Sequence, residues 1–185
     1  MSPLTDVERE YVIQVAKAMC VAAKTAPKAK GVDNIVSAVL LGEELNELAK
    51  KMEELAKRPE WGFFKRDADN VRRSTAVVLI GMKVTGIYNV NCGGCGYKSC
   101  KEFRETKREG EVVFPGPYCI LDVMNLGIAI GSAVKIASEN CVDNRVMYSI
   151  GVAAKLLGLL DADVIVGIPL SASSKSIYFD RKWPK

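Results

Sequence analysis

The chain has 185 residues and 49% of them are hydrophobic, which is enough to build a buried core and excludes a disordered segment. Its formal net charge is +4, and its lysines and arginines are spread along the chain, whereas nucleic-acid binding favours basic residues clustered on one face. The sequence contains no histidine, which excludes imidazole acid–base catalysis and zinc sites of mixed cysteine and histidine. We predict a single domain over residues 1–185 that binds no nucleic acid.

The first half of the chain alternates helical and strand patterns. Thr5 and Glu8 form a capping box, and the apolar residues that follow recur at helical spacing. Short runs of β-branched and apolar residues indicate strands. In chain order, these patterns predict a helix over 6–25, a loop over 27–31, a strand over 34–41, a helix that ends before Pro59, a short helix near 67–73 and a buried strand over 75–82.

The second half begins with a cysteine-rich loop and contains one long apolar segment. In chain order, its patterns predict a solvated helix over 99–110, an apolar helix over 120–139, a helix capped by Asn144 that runs to Leu157, and a strand over 163–170. Gly127 and Gly131 lie four residues apart on the apolar helix, which would allow another backbone to approach closely. Because helices and strands are mixed, the fold class is α+β or α/β.

The same patterns bear on the compartment of the protein. The stretch MSPLTDVERE is charged and lacks the apolar segment of a signal peptide. The longest apolar run, residues 119–138, contains Asp122, Asn125 and Lys135, which predict a buried helix and no membrane span. We therefore expect a cytoplasmic protein. In the reducing cytosol its six cysteines are expected to be metal ligands or free thiols rather than disulfides.

Residues 91–100, NCGGCGYKSC, place three cysteines and three glycines in ten positions. With Cys119 downstream, the spacing is C-x2-C-x4-C-x18-C. Four thiolates can hold a [4Fe-4S] cluster, one on each iron, and glycines leave room for it and accept unusual φ angles. The sequence predicts such a site within residues 89–120, with these ligands: Cys92, Cys95, Cys100 and Cys119.

Two other interpretations of these cysteines stay open. Four thiolates can also hold zinc, although zinc sites usually consist of two short knuckles and Cys100 and Cys119 do not form one. A redox pair of Cys92 and Cys95 would leave the other two cysteines unexplained. The alternative function is therefore a zinc-stabilised structural or interaction module. Cys20 and Cys141 lie in partly apolar helical contexts and are expected to be small buried hydrophobic residues.

The stretch CGGCGYKSC, with Cys119, resembles the small four-cysteine [4Fe-4S] domain of corrinoid/iron–sulfur proteins and of electron-transport complex subunits. Nearly the whole chain resembles a family of uncharacterised proteins that contain a ferredoxin domain. The stretches that carry this resemblance are TAPKAKGVDN, RDADNV, NLGIAIGSAVKIAS, VDNRVMYSIGVAAKLLGLL and GIPLSASSKSIYFDR. The family implies an iron–sulfur protein in which the four cysteines named above are the ligands.

A weaker resemblance is to the flavin-dependent nitroreductase fold, and it rests on VAAKTAP, NLGIA and AAKLLGLLDADVIVG. It implies an α+β (α/β sandwich), nitroreductase-like fold with the four-cysteine iron–sulfur loop inserted. It also implies a homodimer that binds flavin mononucleotide (FMN) between its subunits. Nitroreductases grip the flavin phosphate with an N-terminal Arg-Arg-Ser stretch; here RRS occurs at 72–74, where it is expected to be a solvated helix end. Lys28 and Lys30 are the candidates to bind the phosphate instead.

The apolar helix adds a prediction about assembly. Large apolar residues surround most of the circumference of residues 120–138, more than a one-sided surface helix needs, which predicts a homodimer through this helix. The expected function is a cytosolic electron carrier or small oxidoreductase with one [4Fe-4S] cluster. Its expected partner is a redox protein or a small-molecule electron donor. A variant of this function couples a bound flavin to the cluster.

Overall fold

The computed structural model describes residues 6–179, which form an antiparallel sheet of four strands with helices packed on both faces. The helices are α1 (Asp6–Thr25), α2 (Glu43–Leu55), α3 (Phe64–Arg72), α4 (Cys100–Glu105), α5 (Ile120–Glu139) and α6 (Tyr148–Leu156). The strands are β1 (Ile35–Leu41), β2 (Ala76–Met82), β3 (Asp143–Asn144) and β4 (Val164–Ser171). The order of the strands across the sheet is β1-β2-β4-β3, and every neighbouring pair is antiparallel.

The sheet separates two hydrophobic cores, and β2 contributes side chains to both. Every residue of β2 is buried, because β1 and β4 flank it and helices cover both faces. Side chains alternate between the two faces of a strand. Val77 and Leu79 therefore pack with α2, α3 and α6. Val78 and Ile80 pack on the opposite face with α1 and α5.

The predicted strands and the long helices are confirmed to within about two residues at their ends. Two predicted helix boundaries are wrong. The helix predicted to run to Gly110 ends at Glu105, because only Phe103 in it is buried and Thr106 already has extended backbone. Asn144 does not cap a helix; it lies in β3 and pairs with Leu170 of β4. Thr5 of the predicted capping box lies outside the described residues.

The start of α6 is delayed by the sheet. The backbone N–H of Met147 donates to the carbonyl of Gly167 at 2.8 Å, so the chain stays extended until α6 begins at Tyr148. Two-residue strands such as β3 have no periodicity that a sequence pattern can detect. The pairing partner, and not the local sequence, decides this boundary.

The helix α5 turns small residues inward and large apolar residues outward. Its buried apolar residues are Leu126, Ala129, Ala133 and Ala137. On the other side Val123, Met124 and Ile128 are exposed, and a Cβ at Gly127 or Gly131 would have no described atom within 4 Å. The close backbone approach expected at these glycines is therefore not made within the described part of the chain.

In the described residues, α5 is the one helix that is long and apolar enough to cross a membrane. This evidence is weak, because the core helix of a domain passes the same test. The polar residues Asp122 and Asn125 of α5 are buried and hydrogen-bonded within the protein. Their position agrees with a helix that packs inside a domain.

The raised pKa values of two buried tyrosines predict that the protein loses stability at alkaline pH. Burial, and then the hydrogen bond to Asp122, raise the pKa of Tyr88 to about 12, and burial raises the pKa of Tyr178 to about 12 as well. The unfolded chain loses these protons near pH 10, so the free energy of unfolding falls between about pH 10 and about pH 12. Each tyrosine contributes roughly 2–3 kcal/mol to this fall.

The measurement is urea denaturation at a series of pH values. Tyr178→Phe is expected to be less sensitive to pH in this window than the wild type, whereas Tyr11→Phe, at an exposed position, should follow the wild type. Equal pH dependence of the wild type and Tyr178→Phe would contradict the prediction.

Candidate metal centre

The four cysteines of the predicted site line one cavity beside the sheet. Cys92 and Cys95 lie in the loop between β2 and α4. Cys100 is the first residue of α4, and Cys119 is the N-cap residue of α5. The loop, the start of α4 and the start of α5 therefore bring all four thiols to the same cavity.

The thiols differ in their exposure to solvent. Cys92 is exposed, Cys95 and Cys100 are half-buried, and Cys119 is only 7% exposed. Burial is the main cause that raises the pKa of the Cys119 thiol above its ordinary value, although backbone amides of α5 act in the opposite direction. A bound metal lowers the pKa of a thiol ligand, so metal binding and deprotonation of Cys119 are coupled. A group held here has one edge towards solvent and one edge in the protein.

The glycines in the loop are required by its backbone. Gly93 and Gly96 have φ angles of +73° and +87°, which other residues adopt only with strain, and a hydrogen bond of 2.9 Å between them closes a turn. Position 94 requires glycine for a different reason, which is the lack of space for a side chain. A Cβ at this position would lie 2.7 Å from Cγ2 of Ile120, so only glycine lets the loop pack against the start of α5.

Hydrogen bonds fix the loop to α4. The side chain of Asn91 accepts from the N–H of Cys100 at 2.9 Å, and the hydroxyl of Ser99 caps the helix by accepting from the N–H of Glu102 at 3.2 Å. The ring of Tyr97 packs edge-on against Phe103, with 5.9 Å between the ring centres. These contacts of the chain's own residues position Cys100.

A network of buried polar side chains, for which the sequence predicts no role, lies beside the cavity. The hydroxyl of Tyr88 donates to Asp122 Oδ1 at 2.7 Å and accepts from Asn125 Nδ2 at 2.9 Å. Asn34 donates to Asp122 at 2.9 Å, and Asn125 accepts from the N–H of Ala29 at 2.9 Å. The signal available in the sequence was the pair of polar residues, three apart, in an otherwise apolar helix.

The two lysines predicted to bind a flavin phosphate both contact backbone carbonyl groups. Lys28 Nζ donates to the carbonyls of Ala23, Lys24 and Ala26 at 3.3, 2.5 and 2.8 Å, so it caps the end of α1. Lys30 Nζ donates to the carbonyl of Tyr88 at 2.6 Å, on the side of the cysteine cavity. The structure does not bring the two ammonium groups together on one acceptor.

The remaining two cysteines lie outside the cavity. Cys20 is half-buried in α1, and burial raises the pKa of its thiol. The prediction that Cys141 is buried is wrong: it is exposed, because the chain turns there, with a φ angle of +55°, from α5 into β3. The RRS stretch at 72–74 lies at the end of α3, where Arg72 is exposed and pairs with Glu53 at 2.8 Å. Of the described residues, no group of three or more His, Cys, Asp or Glu side chains is arranged to hold a single metal ion.

Comparison with solved structures shows a nitroreductase-like α+β fold. A nitroreductase with bound FMN from Bacteroides fragilis matches with a TM-score of 0.55 and 12% sequence identity, covering 100% of this chain and 86% of that one. Nitroreductase A from Vibrio parahaemolyticus matches with a TM-score of 0.52 and 10% identity over 95% of this chain. This chain covers only 62% of the length of that enzyme. At these identities, the likeness is one of fold.

Comparison with sequence families identifies the cysteine loop. A family model for an Fe–S cluster matches residues 89–114. A second model, for uncharacterized proteins containing a ferredoxin domain (DUF2148), matches residues 115–181. An uncharacterized protein from Archaeoglobus fulgidus is 49% identical over 176 residues, which are 95% of each chain. On this evidence the chain belongs to the family of proteins containing a ferredoxin domain, and its cysteine loop is an iron–sulfur motif.

Proposed function

We propose that the protein binds one [4Fe-4S] cluster through Cys92, Cys95, Cys100 and Cys119 and acts as a cytoplasmic electron carrier or small oxidoreductase. The observation that carries this proposal is that the four thiols, from three separate elements, line one cavity. When bound, such a cluster supplies transfer of single electrons. The chain's own residues would hold the cluster between the buried Cys119 and the exposed Cys92.

The match of residues 89–114 to a family model for an Fe–S cluster supports a cluster over a single zinc ion. Zinc requires four sulfurs at about 2.3 Å from one atom, whereas a cubic cluster carries its four thiolates on separate irons. The thiols surround a common cavity, and the described residues do not form a group arranged for one ion. The two glycines with positive φ angles and the close packing of Gly94 on Ile120 further suit a loop that wraps around a bulky group.

The exposure of Cys92 supports electron exchange at the surface. Cys92 lies at the open edge of the cavity, and the exposed apolar residues Ile87, Val90 and Ile120 are near it in the chain or the cavity wall. A redox protein or a small-molecule electron donor that approaches this edge comes closest to the cluster. Transfer through the buried side, beneath Cys119, would cross the core.

The test is metal analysis of protein that is produced and purified without oxygen. We expect brown protein with about four irons and four sulfides per chain. Colourless protein with one zinc per chain would reject the proposal in favour of the zinc-stabilised module. Oxygen must be excluded, because oxidation at the exposed edge destroys a cluster and leaves thiols that zinc can occupy.

Flavin binding is a second candidate function, and the fold is the observation that favours it. A structural neighbour with the same fold, from Bacteroides fragilis, contains bound FMN. In this chain Lys28 and Lys30 are the candidates to contact the phosphate, although both would have to leave carbonyl partners. Titration with FMN, followed by quenching of flavin fluorescence, tests this function. Saturable binding weakened by Lys28→Ala with Lys30→Ala supports it, and no binding at micromolar protein rejects it.

We also propose that two copies of the chain pair through the exposed face of α5. This face is apolar, with Met124 53% exposed, and glycines at 127 and 131 leave it open to another backbone. Placing lysines at Met124 and Ile128 is expected to convert a dimer into a monomer, because the charges would be buried at the interface. Light scattering after gel filtration measures the mass, and Val112→Lys, at another exposed apolar position, is the control. A monomeric wild type at micromolar concentration would contradict the prediction.

A further inference from the structure

The carboxylate of Asp122 is fully buried and accepts five hydrogen bonds. Its Oδ1 accepts from Asn34 Nδ2, Thr85 Oγ1 and Tyr88 OH at 2.9, 3.0 and 2.7 Å. Its Oδ2 accepts from the backbone N–H groups of Thr85 and Gly86 at 2.9 and 3.1 Å. Five donors that converge on one carboxyl group, two of them backbone N–H groups, favour its ionised form. Asp122 thus places a negative charge inside the protein.

These hydrogen bonds connect Asp122 to the walls of the cysteine cavity. Gly86 and Tyr88, which bind the carboxylate, line the cavity together with the four thiols. Asp122 also lies in the first turn of α5, three residues after Cys119 at its N-cap. The side chain of Asp122 thus joins the segment that follows β2 to α5, whose N-cap residue is the buried Cys119.

The charge of Asp122 has no cationic partner within the described residues, where no ion pair includes it. Two cations are hydrogen-bonded to backbone carbonyls of the same walls. Lys30 donates to the carbonyl of Tyr88 at 2.6 Å, and Arg104 donates to the carbonyl of Gly86 at 3.0 Å. Both side chains are exposed, so water screens their charges more than it screens the buried carboxylate.

We propose that Asp122 positions Cys119 and the facing loop and that its buried charge lowers the reduction potential of the bound cluster. The inference rests on the proposed iron–sulfur function. Reduction adds a negative charge to a cluster that is already anionic, and a nearby fixed negative charge makes that addition less favourable. A cluster held by the four cysteines would therefore require a strong reductant as its electron donor.

The substitution Asp122→Asn tests the charge with little change in shape. The amide oxygen can keep the N–H groups of Thr85 and Gly86, and the amide nitrogen can donate to the hydroxyls of Thr85 and Tyr88, which reorient. The amide nitrogen of Asn34 loses this acceptor and keeps the carbonyl of Lys83. We expect the cluster to be retained and its reduction potential to shift to a more positive value. Asp67→Asn is the matched control, because Asp67 is also buried but belongs to the other core, against Ser149 of α6.

Two further variants predict shifts of the opposite sign. Tyr88→Phe removes a donor from the carboxylate and leaves its charge less neutralised, and Lys30→Gln removes a nearby cation. Both are expected to shift the potential to more negative values, by less for Lys30→Gln because that side chain is exposed. A purely structural role for Asp122 would not produce shifts of opposite sign in these variants.

The measurement is a redox titration of anaerobically purified holoprotein, with iron and sulfide determined on each sample. A positive shift for Asp122→Asn, a negative shift for Tyr88→Phe and no shift for Asp67→Asn support the inference. An unchanged or more negative potential in Asp122→Asn with its cluster intact overturns it. If Asp122→Asn does not hold its cluster, the sign of the shift in Tyr88→Phe decides, and no shift there overturns the inference. Wild-type protein without iron and sulfide overturns the proposed function itself, which is a separate result.

Discussion

Replacing Cys92 with serine is expected to abolish the cluster, so that the protein loses its brown colour and nearly all of its iron and sulfide. A serine hydroxyl is far less acidic than a thiol and does not replace a thiolate on iron under these conditions. Cys119→Ser is expected to have the same effect on the cluster, since its thiol lines the same cavity from the buried side. Iron, sulfide and visible absorption measured on anaerobic protein test both variants.

The two cysteines outside the cavity are the controls for this prediction. Cys141 is exposed like Cys92, and Cys20 is half-buried, but neither lines the cavity. Cys141→Ser and Cys20→Ser are expected to keep the iron and sulfide of the wild type. If Cys20→Ser or Cys141→Ser lost its cluster while Cys92→Ser kept it, the assignment of the ligands would be wrong.

The largest effect on stability is expected from Gly151→Ala. Gly151 lies where α6 packs directly on β4, and a Cβ there would be 1.8 Å from the carbonyl oxygen of Ile165. The clash is with backbone, so it is relieved only if α6 moves away from the sheet. We expect a decrease of about 3 kcal/mol or more in the free energy of unfolding, a large part of the stability of a domain.

Equilibrium denaturation in urea measures this loss. The matched control is Gly62→Ala, since Gly62 has a negative φ angle and no described atom within 4 Å of an added Cβ. Gly62→Ala is expected to change the free energy of unfolding by less than about 0.5 kcal/mol. Gly151→Ala as stable as the wild type would show that α6 does not pack against β4 as described.

Much of this protein follows from local sequence patterns. The helices α1, α2 and α5 and the strands β1, β2 and β4 agree with their predicted positions, because apolar periodicity over many residues specifies both the element and its buried side. The iron–sulfur motif also follows from sequence, since Cys92 and Cys95 lie in one loop and Cys100 begins the helix directly after it. Proximity along the chain makes such a group of cysteines predictable before folding is considered.

Other features depend on contacts between distant parts of the chain. The pairing of β3 with β4 keeps residues 143–147 extended and delays the start of α6, although Asn144 by itself is a good helix cap. Lys28 looked available for a phosphate, but the end of α1 supplies carbonyls that it caps. In both cases a hydrogen-bonding partner that is set by the fold outweighs a local preference.

The position of Asp122 shows the same division most clearly. The sequence by itself determined that α5 is an apolar helix and that Cys119 precedes it, because both are matters of local composition and spacing. Only the tertiary structure decided that the carboxylate of Asp122 meets donors from Asn34, Thr85, Gly86 and Tyr88 beside the cysteine cavity. Burying a charge requires several donors to converge, and their convergence depends on how α5 packs against the sheet and its loops.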